Sequence, residues 1–533
     1  MARAFLCVCG RLRRVTSDPS AADTAPQPNG RHIAALLPAT SAAGWGEFCL
    51  GMLRHELGPR LRRYAGPDDI LRDAAATAEA DLLILLGDRE IAVADLPRPR
   101  LGIWRLGFGT EAGLRPGLTG VRRALLRGAG WVDIHVLQLA PDGASEGSAH
   151  RVTIALDPAH PEQTLRRINL AAARCLRGAL LRALADGAAR PIVPAPPLLP
   201  DNTRRLGGLV EEALSPLAAV WWFTWTYAWR WLLFRDHWRL GLVDQPLGAL
   251  VAGEPAKPIT WLPEAGDLAF VADPFVGRLG DNDLLLAERF DFRTSHGEIV
   301  AAALGADGTP GHFAPLLRTL SHLSYPSLVA ERGRLWLCPE AWESGELRLH
   351  AIDLMDGRPT IGETRQLLPG FPAVDPTIIR HQGTWYLFCG DRRDAPNENM
   401  KLWFADRLEG PWTPHPWNPV VSDLGHARPA GAIIAVDGML IRPAQDCRLT
   451  YGGAVSLMRI DCLSRSAYRE SRIARLDPEP DGPCPDGLHT VAAFGRWTII
   501  DGKRWRFSLR NPLLKLSGWL RNRRRRCVAV PEP

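Results

Sequence analysis

The second half of the chain repeats one pattern of apolar and polar positions. A proline at residues 274, 326, 376 and 429 is followed by an apolar strand, a turn containing glycine, and a second apolar strand that ends on a polar residue. The four prolines stand 52, 50 and 53 residues apart, and a weaker fifth copy covers residues 488–501. Short strands that recur every ~50 residues indicate a β-propeller. Five copies of about four strands each predict an all-β propeller with five blades.

The first half of the chain alternates buried strands with amphipathic helices. Residues 32–37, 80–87 and 101–104 are short apolar runs, and apolar residues at helical spacing mark 45–63 and 164–185. Strands that alternate with helices predict an α/β domain built on a parallel sheet. Residues 132–139 and 151–156 alternate more cleanly, so we expect them at the edge of that sheet. The domain is predicted to span residues 32–187.

Three further segments lie outside these two domains. Residues 1–31 are predicted to be a disordered leader, because residues 17–30 are mostly small, polar or proline. Residues 188–240 combine a proline-rich linker with a tryptophan-rich helix at 214–234, and the propeller is expected at 241–503. The helix has three interpretations: packing between the domains, contact with a membrane interface, or a membrane span. The basic amphipathic tail, 504–533, is either a solvated helix or an anionic-membrane contact through 504–526.

Composition narrows the range of partners. A net charge of +6 on 533 residues is mild, so no nucleic acid partner is expected. The ten cysteines lack the paired spacing of a zinc site or a disulfide framework, and neither a metal nor a cofactor is predicted. Residues 1–10 are apolar but are followed by arginines where a signal peptide would have its cleavage site. The cytoplasm is the expected location, with membrane association as an open alternative.

Acidic residues recur at two positions of the repeat. Asp273 and Asp375 precede the proline in copies one and three, and the second strands of copies one to three close on Glu288, Glu340 and Asp391. Because the first strand of every blade lines the central channel of a propeller, equivalent residues of different blades converge there. Converging carboxylates suit glycoside cleavage, one as acid and the other as base or nucleophile, and they also bind sugar hydroxyls. The alternative is structural: an aspartate before proline can bond a turn amide.

Copy four of the repeat carries a dense polar group, formed by Arg428, Arg442, Gln445 and Asp446. Arg442 lies in an otherwise apolar strand, so its guanidinium is either paired or directed into the channel. An arginine in the channel suits a phosphate or carboxylate on a ligand. His489 of the fifth copy is a further candidate, with a satisfied structural histidine as the alternative.

These motifs resemble two related groups of propellers. One comprises furanosidase- and arabinanase-like enzymes, whose blades open with Asp-Pro; the closer one is the N-terminal domain of glucosamine inositolphosphorylceramide transferases. The matching strings are ADPF (272–275), LSYPS (323–327), VDPT (374–377), GPWTPHP (410–416), NPVVSD (418–423), ARPAG (427–431) and IRPAQDC (441–447). The enzyme resemblance implies a base or nucleophile at Asp273 and an orienting group at Asp375. It places the acid glutamate two residues before the blade-four proline, where this chain has Ala427, so Glu340 or Asp446 would have to substitute.

Residues 32–187 resemble the formyltransferase domain that is fused to such propellers in bacteria. The resemblance lies in DLLILLG (81–87), GIW (102–104) and DG (142–143). Formyl transfer needs an asparagine, a histidine and an aspartate, and the histidine is expected directly after GIW. The sequence there, RLGFG (105–109), contains neither asparagine nor histidine. Because these residues cannot transfer the proton, we expect a degenerate relative with a structural or regulatory role.

Three functions follow as expectations. The first is a carbohydrate- or glycolipid-handling propeller that binds a sugar or sugar phosphate at the mouth of its central channel. The second is a glycoside hydrolase or glycosyl-transfer enzyme that uses Asp273 and a second acid. The third, which the missing histidine disfavours, is formyl transfer to an amino sugar. The candidate catalytic residues are Asp273, Asp375 and Glu340, and the candidate substrate-binding residues are Glu288, Asp391, Arg428, Arg442, Gln445, Asp446 and His489.

Overall fold

The computed structural model describes residues 33–36, 44–73, 80–86, 93–110, 112–126, 129–140, 142–157, 160–187 and 229–518. The predicted leader (1–31), residues 188–228 of the predicted linker and tryptophan-rich helix, and residues 519–533 of the tail lie outside these ranges. The described residues form one N-terminal sheet with helices and five further sheets that are the blades of a propeller.

The N-terminal sheet has seven strands: β1 (Ile33–Leu36), β2 (Leu61–Tyr64), β3 (Leu82–Leu85), β4 (Ile103–Thr110), β5 (Gly113–Pro116), β6 (Trp131–Leu139) and β7 (Ser145–Ala155). Their order is β2-β1-β3-β4-β6-β7, with β5 also paired to β4. Strands β1 to β4 are parallel, as predicted. From β4 onward the pairing is antiparallel. The prediction of a parallel sheet is therefore wrong for its second half, because the short link from β6 to β7 closes a hairpin and is too short for a crossover helix.

The described part of the domain also contains the helices α1 (Gly44–Leu57), α2 (Pro67–Arg72), α3 (Leu118–Leu126) and α4 (Pro161–Asp186). The main core lies between α1, α4 and one face of the sheet, and it includes Trp45, Trp104, Phe108 and Leu176. Helix α4 ends at Asp186 and is followed by Gly187, whose left-handed backbone (φ 66°) is the usual conformation after the last turn of a helix.

Five sheets form the propeller. Blade one holds β10 (Ala269–Leu279), β11 (Asn282–Asp291), β12 (His296–Ala303) and β13 (Ala314–Leu317); blade two holds β14 (Ser324–Glu331), β15 (Arg334–Glu340), β16 (Leu347–Met355) and β17 (Arg358–Leu368). Blade three holds β18 (Ala373–His381), β19 (Thr384–Asp391), β20 (Asn399–Ala405), β21 (Thr413–Pro414) and β22 (Val421–Ser422); blade four holds β23 (Ile434–Val436), β24 (Met439–Asp446), β25 (Ala454–Leu463) and β26 (Tyr468–Leu476). The predicted five-bladed propeller is confirmed.

Blade five joins the two ends of the propeller. Its strands β27 (Gly487–Phe494) and β28 (Trp497–Phe507) come from the end of the propeller. They are followed in the sheet by β8 (Phe234–Val243), which pairs with β28, and by β9 (Ile259–Trp261), and these two strands precede blade one in the chain. A short helix, α5 (Trp229–Leu233), leads into β8, and α6 (Leu247–Val251) links β8 to β9. The propeller thus extends beyond residues 241–503 at both ends. The expected tail helix does not begin at 504, because residues 504–507 belong to β28, whereas residues 511–518 are helical.

The N-terminal domain packs against blades three and four of the propeller. Glu398 is buried, accepts a hydrogen bond from the Ala155 amide (2.9 Å) and pairs with Arg167 of α4. Arg174, also in α4, pairs with Asp394 at 2.9 Å. Backbone atoms meet as well, since the Leu424 amide donates to the Thr153 carbonyl at 2.7 Å. Helix α4 and strand β7 therefore fix the orientation of this domain on the propeller.

No helix among the described residues is long and apolar enough to cross a membrane. Of the tryptophan-rich segment at 214–234, residues 214–228 lie outside the described ranges, so the three interpretations of that segment remain predictions.

Candidate functional site

The proline motifs sit where the innermost strands are irregular. In blades one, two and three, the residue before the proline has a left-handed backbone: Asp273 (φ 54°), Tyr325 (φ 45°) and Asp375 (φ 48°). The pairing of the first two strands shifts register at each of these positions. A left-handed conformation is uncommon outside glycine and strained for a bulky side chain such as tyrosine. Something must therefore hold these three residues.

In each case a carboxyl group of the preceding blade accepts a hydrogen bond from the backbone amide of the left-handed residue. The Asp273 amide donates to Asp501 of blade five at 2.9 Å, and the Tyr325 amide donates to Asp273 at 3.0 Å. The Asp375 amide donates to Glu340 of blade two at 2.8 Å. The acids at the channel therefore have a clear structural task, which was the alternative considered for them from sequence.

Asp375 is the centre of a buried ion pair. Nε and Nη2 of Arg428 lie 2.5 Å and 3.3 Å from its two oxygens, and Gln445 donates to it at 3.1 Å. Arg428 Nη2 is also 3.9 Å from Glu340, while Nη1 donates to Asn397 at 2.8 Å. These contacts bring together four of the predicted site residues, namely Asp375, Glu340, Arg428 and Gln445.

A second group surrounds Asp273. Thr490 donates its hydroxyl to Asp273 at 2.8 Å, and His489 Nε2 lies 3.4 Å from the same oxygen. His489 Nδ1 is 2.7 Å from Asp501. Burial favours the neutral imidazole, but Asp501 and Asp273 outweigh it and raise the pKa of His489 above its ordinary value. Asp273, His489 and Asp501 also offer ligand atoms within 4.8 Å of one another, so this trio could hold a cation, which the sequence did not indicate.

Two of the glutamates favour the protonated form. Burial, together with the neighbouring Asp273, raises the pKa of Glu288 well above its usual range. Burial and the charge of Asp375 do the same for Glu340, although Arg428 opposes them. Glu288 has His322 Nε2 at 3.6 Å. A buried carboxyl that keeps its proton near neutral pH can serve as a general acid.

Tyr325 crosses the channel between the two groups. Its hydroxyl accepts a hydrogen bond from the Gly431 amide of blade four (2.8 Å) and lies 2.9 Å from the Thr377 hydroxyl of blade three. Its ring packs edge-on against Phe275. The tyrosine is completely buried, and Asp273, Asp375, Glu340 and Glu288 are only 3–6% exposed.

Three predicted site residues do not join these groups. Strand pairing places Glu288 opposite Ala272 and Glu340 opposite Ser324, but in blade three the residue opposite Val374 is Gly390. Asp391 is one residue further on, and since side chains alternate between faces it is not equivalent to the two glutamates. It pairs instead with Arg393 and Lys401.

The same slip affects blade four. Gln445, rather than Asp446, occupies the glutamate position, and Asp446 pairs with Arg448 and Arg475. Arg442 is buried and forms two hydrogen bonds with Glu470, at 2.7 and 2.8 Å, so it is paired and not directed at a ligand in the channel. The polar group predicted for blade four is therefore divided between the channel and two separate ion pairs. Ala427, at the position of the missing acid, is completely buried in an apolar cluster with Tyr386, Phe388 and Met400.

A cavity of about 810 Å³ lies between the N-terminal domain and blades one, four and five. Eight aromatic residues contribute to its walls, namely Trp131, Phe234, Trp238, Phe270, Phe290, Phe292, Tyr451 and Trp505. Two of these rings separate it from the buried acids. Trp238 stacks on His489 at 3.8 Å between ring centroids, and the Arg428 guanidinium lies 4.8 Å from the centre of the Tyr451 ring. The cavity thus lies on the outer side of these two rings, next to the buried polar residues.

Sequence reasoning missed Tyr325, Asp501, Trp238 and Tyr451. The proline motif could have pointed to Tyr325, because it occupies in copy two the place of Asp273 and Asp375. Asp501 is the polar residue that ends the fifth copy, as Glu288 and Glu340 end copies one and two. Trp238 and Tyr451 have no sequence signal beyond being aromatic, since a strand outside the repeats and a loop place them at the cavity.

Solved structures of glycoside hydrolases share a partial likeness with this chain. An exo-β-1,3-galactanase from Phanerochaete chrysosporium is 14% identical, with 38% of this chain and 52% of that one covered and a TM-score of 0.31. An exo-β-1,3-galactanase from Clostridium thermocellum is 12% identical, with 42% and 57% covered and a TM-score of 0.32. Values this low say nothing about activity.

Curated relatives are plant proteins. Two proteins with the name glucosamine inositolphosphorylceramide transferase 1, from Oryza sativa subsp. japonica and Arabidopsis thaliana, are each 32% identical to this chain over 208 and 214 residues. The matches cover 38% of this chain and 27% of each relative. These plant relatives do not support the expectation of a bacterial protein, which came with the formyltransferase resemblance. The resemblance of residues 32–187 to a formyltransferase stays a prediction. The resemblance of the propeller is confirmed: residues 261–479 match the family described as "Glucosamine inositolphosphorylceramide transferase 1, N-terminal".

Proposed function

We propose that this chain is a carbohydrate- or glycolipid-handling protein whose propeller binds a sugar or sugar phosphate at the mouth of the central channel. The observation that carries the proposal is the aromatic cavity of about 810 Å³, which lies against the two groups of buried polar residues. Concave sites with apolar walls and a few fixed polar groups are typical of small-ligand binding. The name of the matched family, which includes both a sugar and a lipid, points in the same direction.

Aromatic walls suit the apolar C–H faces of a sugar ring. Phe292 and Tyr451 are partly exposed on the wall of the cavity, so both rings are accessible to a ligand there. We expect Phe292→Ala and Tyr451→Ala to weaken binding about tenfold each, since removing one well-packed aromatic contact costs about 1–2 kcal/mol.

The test begins with a glycan array on the full chain, followed by titration of the best glycan against both variants. Trp342→Ala is the matched control, because Trp342 is a partly exposed aromatic residue of blade two outside the cavity. Equal losses in all three variants, or no glycan bound by the wild type, would refute the proposed site.

A glycoside hydrolase or glycosyl-transfer enzyme is the second candidate. The raised pKa of Glu340 and Glu288 favours it, because each could deliver a proton to a leaving oxygen near the carboxylate of Asp273. The deep burial of all three and the alanine at residue 427 weigh against it. Turnover of chromogenic glycosides that disappears in Glu340→Gln but persists in Asp391→Asn would establish this activity.

Formyl transfer is the third and least supported candidate. The segment where the resemblance expects a histidine lies within β4, and Arg105, Leu106 and Phe108 are buried there. Binding of a folate to the purified chain would revive this hypothesis, and its absence at millimolar concentration would end it.

Peripheral contact with a membrane belongs to the same proposal. Six large apolar side chains are more than a third exposed beside the cavity: Trp229, Leu232, Phe507, Leu509, Leu513 and Leu516. Arg504 and Arg510 are exposed among them, so the surface combines apolar and cationic groups as interfacial segments do. Cosedimentation with vesicles of anionic lipid, reduced in Leu513→Ser, checks this contact. Residence in the cytoplasm stays a prediction.

A further inference from the structure

A completely buried lysine lies behind the wall of the cavity. Lys503, in β28, has no exposed surface and donates hydrogen bonds to the Thr450 hydroxyl (3.0 Å) and the Tyr451 carbonyl, which are both neutral. Burial lowers the pKa of Lys503, and the charges of Asp236 and Asp486 oppose that effect. The rings of Trp238 and Trp505, 5.3 and 5.6 Å away, offset part of the cost of burying the charge. Thr450, Tyr451 and these two tryptophans line the cavity.

Four more cationic side chains line the cavity itself. They are Arg230, Arg235, Arg448 and Lys515, and among the described residues Asp236 supplies the one carboxylate of the lining. Arg235 donates to a backbone carbonyl, that of Asp267, and its guanidinium lies 4.7 Å from the ring centre of Phe292. Arg448 forms an ion pair with Asp446. Arginines that are held by rings and carbonyls keep most of their charge available to an anion in the cavity.

We propose that the cavity is specific for a phosphate-bearing ligand, with the phosphate on the side of Arg235, Lys515 and Lys503 and the sugar ring on the aromatic wall. The placement of the sugar ring rests on the proposed function, whereas the placement of the phosphate does not. The phosphate half follows from the excess of cations, because guanidinium and ammonium groups around a partly closed space stabilise an oxyanion. The channel arginines predicted for this task, Arg428 and Arg442, are occupied by carboxylates.

The N-terminal domain closes this site on one side. Gly130, Trp131, Ala155 and Leu156 are its contribution to the wall. Ala155 is also the residue whose amide is held by Glu398, so the wall is fixed to the propeller close to the cavity. Residues 32–187 would thereby serve phosphate binding by excluding water from one side of the pocket, without any chemistry of their own.

The experiment measures binding of glucose 6-phosphate, glucose and inorganic phosphate to the full chain by calorimetry and thermal shift. We expect glucose 6-phosphate to bind at least about tenfold more tightly than glucose, as hydrogen bonds to charged groups allow. Arg235→Gln and Lys515→Gln should each weaken glucose 6-phosphate binding about threefold to tenfold and leave glucose unchanged. Arg278→Gln is the control, since Arg278 is exposed on blade one away from the cavity.

The outcomes separate the two proposals. One outcome is that phosphate and glucose 6-phosphate both bind, that Arg235→Gln weakens their binding as expected, and that glucose does not bind. The anion site is then supported and the proposed sugar site is refuted. If glucose 6-phosphate binds no better than glucose, or the variants weaken both equally, the phosphate inference is overturned. Vesicles with and without phosphatidylinositol in phosphatidylcholine show whether the phosphate belongs to a lipid or to a free sugar phosphate. Binding to the phosphatidylinositol vesicles that is lost in Arg235→Gln indicates a lipid headgroup. Equal binding to both kinds of vesicle indicates a free sugar phosphate.

Discussion

The buried pair of Arg428 and Asp375 allows the sharpest test of the channel. Replacing Arg428 with methionine keeps most of the volume and removes the charge that faces Asp375 at 2.5 Å and Glu340 at 3.9 Å. Asp375 would then be buried with Gln445 as its remaining side-chain donor. Removing one partner of a buried pair typically costs about 3–5 kcal/mol, so we expect a loss of about that size in the free energy of unfolding. In Arg428→Met combined with Asp375→Asn, the loss should be about 1–3 kcal/mol smaller than the sum of the single losses.

Urea unfolding followed by tryptophan fluorescence measures these four proteins. The exposed pair of Arg334 and Asp353, with its nearest atoms 3.3 Å apart and side chains 36% and 47% exposed, is the matched control in the same propeller. Arg334→Met and Asp353→Asn should cost less than about 1 kcal/mol each, because exposed ion pairs contribute little. The reasoning is refuted if Arg428→Met costs no more than Arg334→Met, or if the losses at Arg428 and Asp375 are additive.

Three other predictions follow from the domain interface and the cores. Burial raises the pKa of Asp133 from 3.8 to about 6. The protonated carboxyl therefore costs the folded state nothing below about pH 4, and stability is lost as the pH rises to about 6 and the buried group must ionise. In denaturation at both pH values, Asp133→Asn should be more stable than the wild type by about 3 kcal/mol at pH 7.5 and similar to it at pH 4. Glu398→Ala removes the partner of Arg167 and of the Ala155 amide and should speed hydrogen exchange in β7 and α4, whereas Asp186→Ala, which breaks an exposed pair with Arg469, should not. Of the seven cysteines in the described residues, Cys462 alone is not buried, so peptide mapping after native maleimide treatment should find it labelled, with Cys338 and Cys389 protected; labelling of those two would contradict the packing of blades two and three.

The architecture of the propeller was predictable because each blade repeats its own local signals. The prolines at 274, 326 and 376 mark the inner strands, and the turns at Gly383 and Gly438 mark hairpins whose glycines have positive φ (82° and 79°). The strand β8 was not predictable in this way. It lies before the first repeat, it follows a tryptophan-rich segment that suggested a helix, and its role depends on pairing with β28, which is more than 250 residues away in the chain.

The site was predictable in part, and the errors have one cause. The last residues of the second strands are not equivalent positions, because Glu288 and Glu340 each stand fourteen residues after their proline, whereas Asp391 stands fifteen and Asp446 seventeen residues after theirs. A shift of one residue in a strand turns a side chain to the opposite face, which is why Asp391 and Asp446 point to arginines and lysine outside the channel. The cations of the cavity could not be found from sequence, since Arg235, Arg448 and Lys503 come from a strand, a loop and another strand with no shared motif.

The pairing of β8 with β28 also determines how the propeller responds to mechanical force. Phe234 lies opposite Phe507, at the point where the chain enters the ring and where it leaves it. A pull applied between the two connecting segments would open this ladder like a zipper, one residue pair at a time from Phe234–Phe507 towards Val243–Thr498. The four other blades, each formed from one continuous stretch of chain, would not bear the load until β8 had peeled away. An isolated propeller that began at residue 241 would lack seven of the ten residues of β8 and would start with its ring already open.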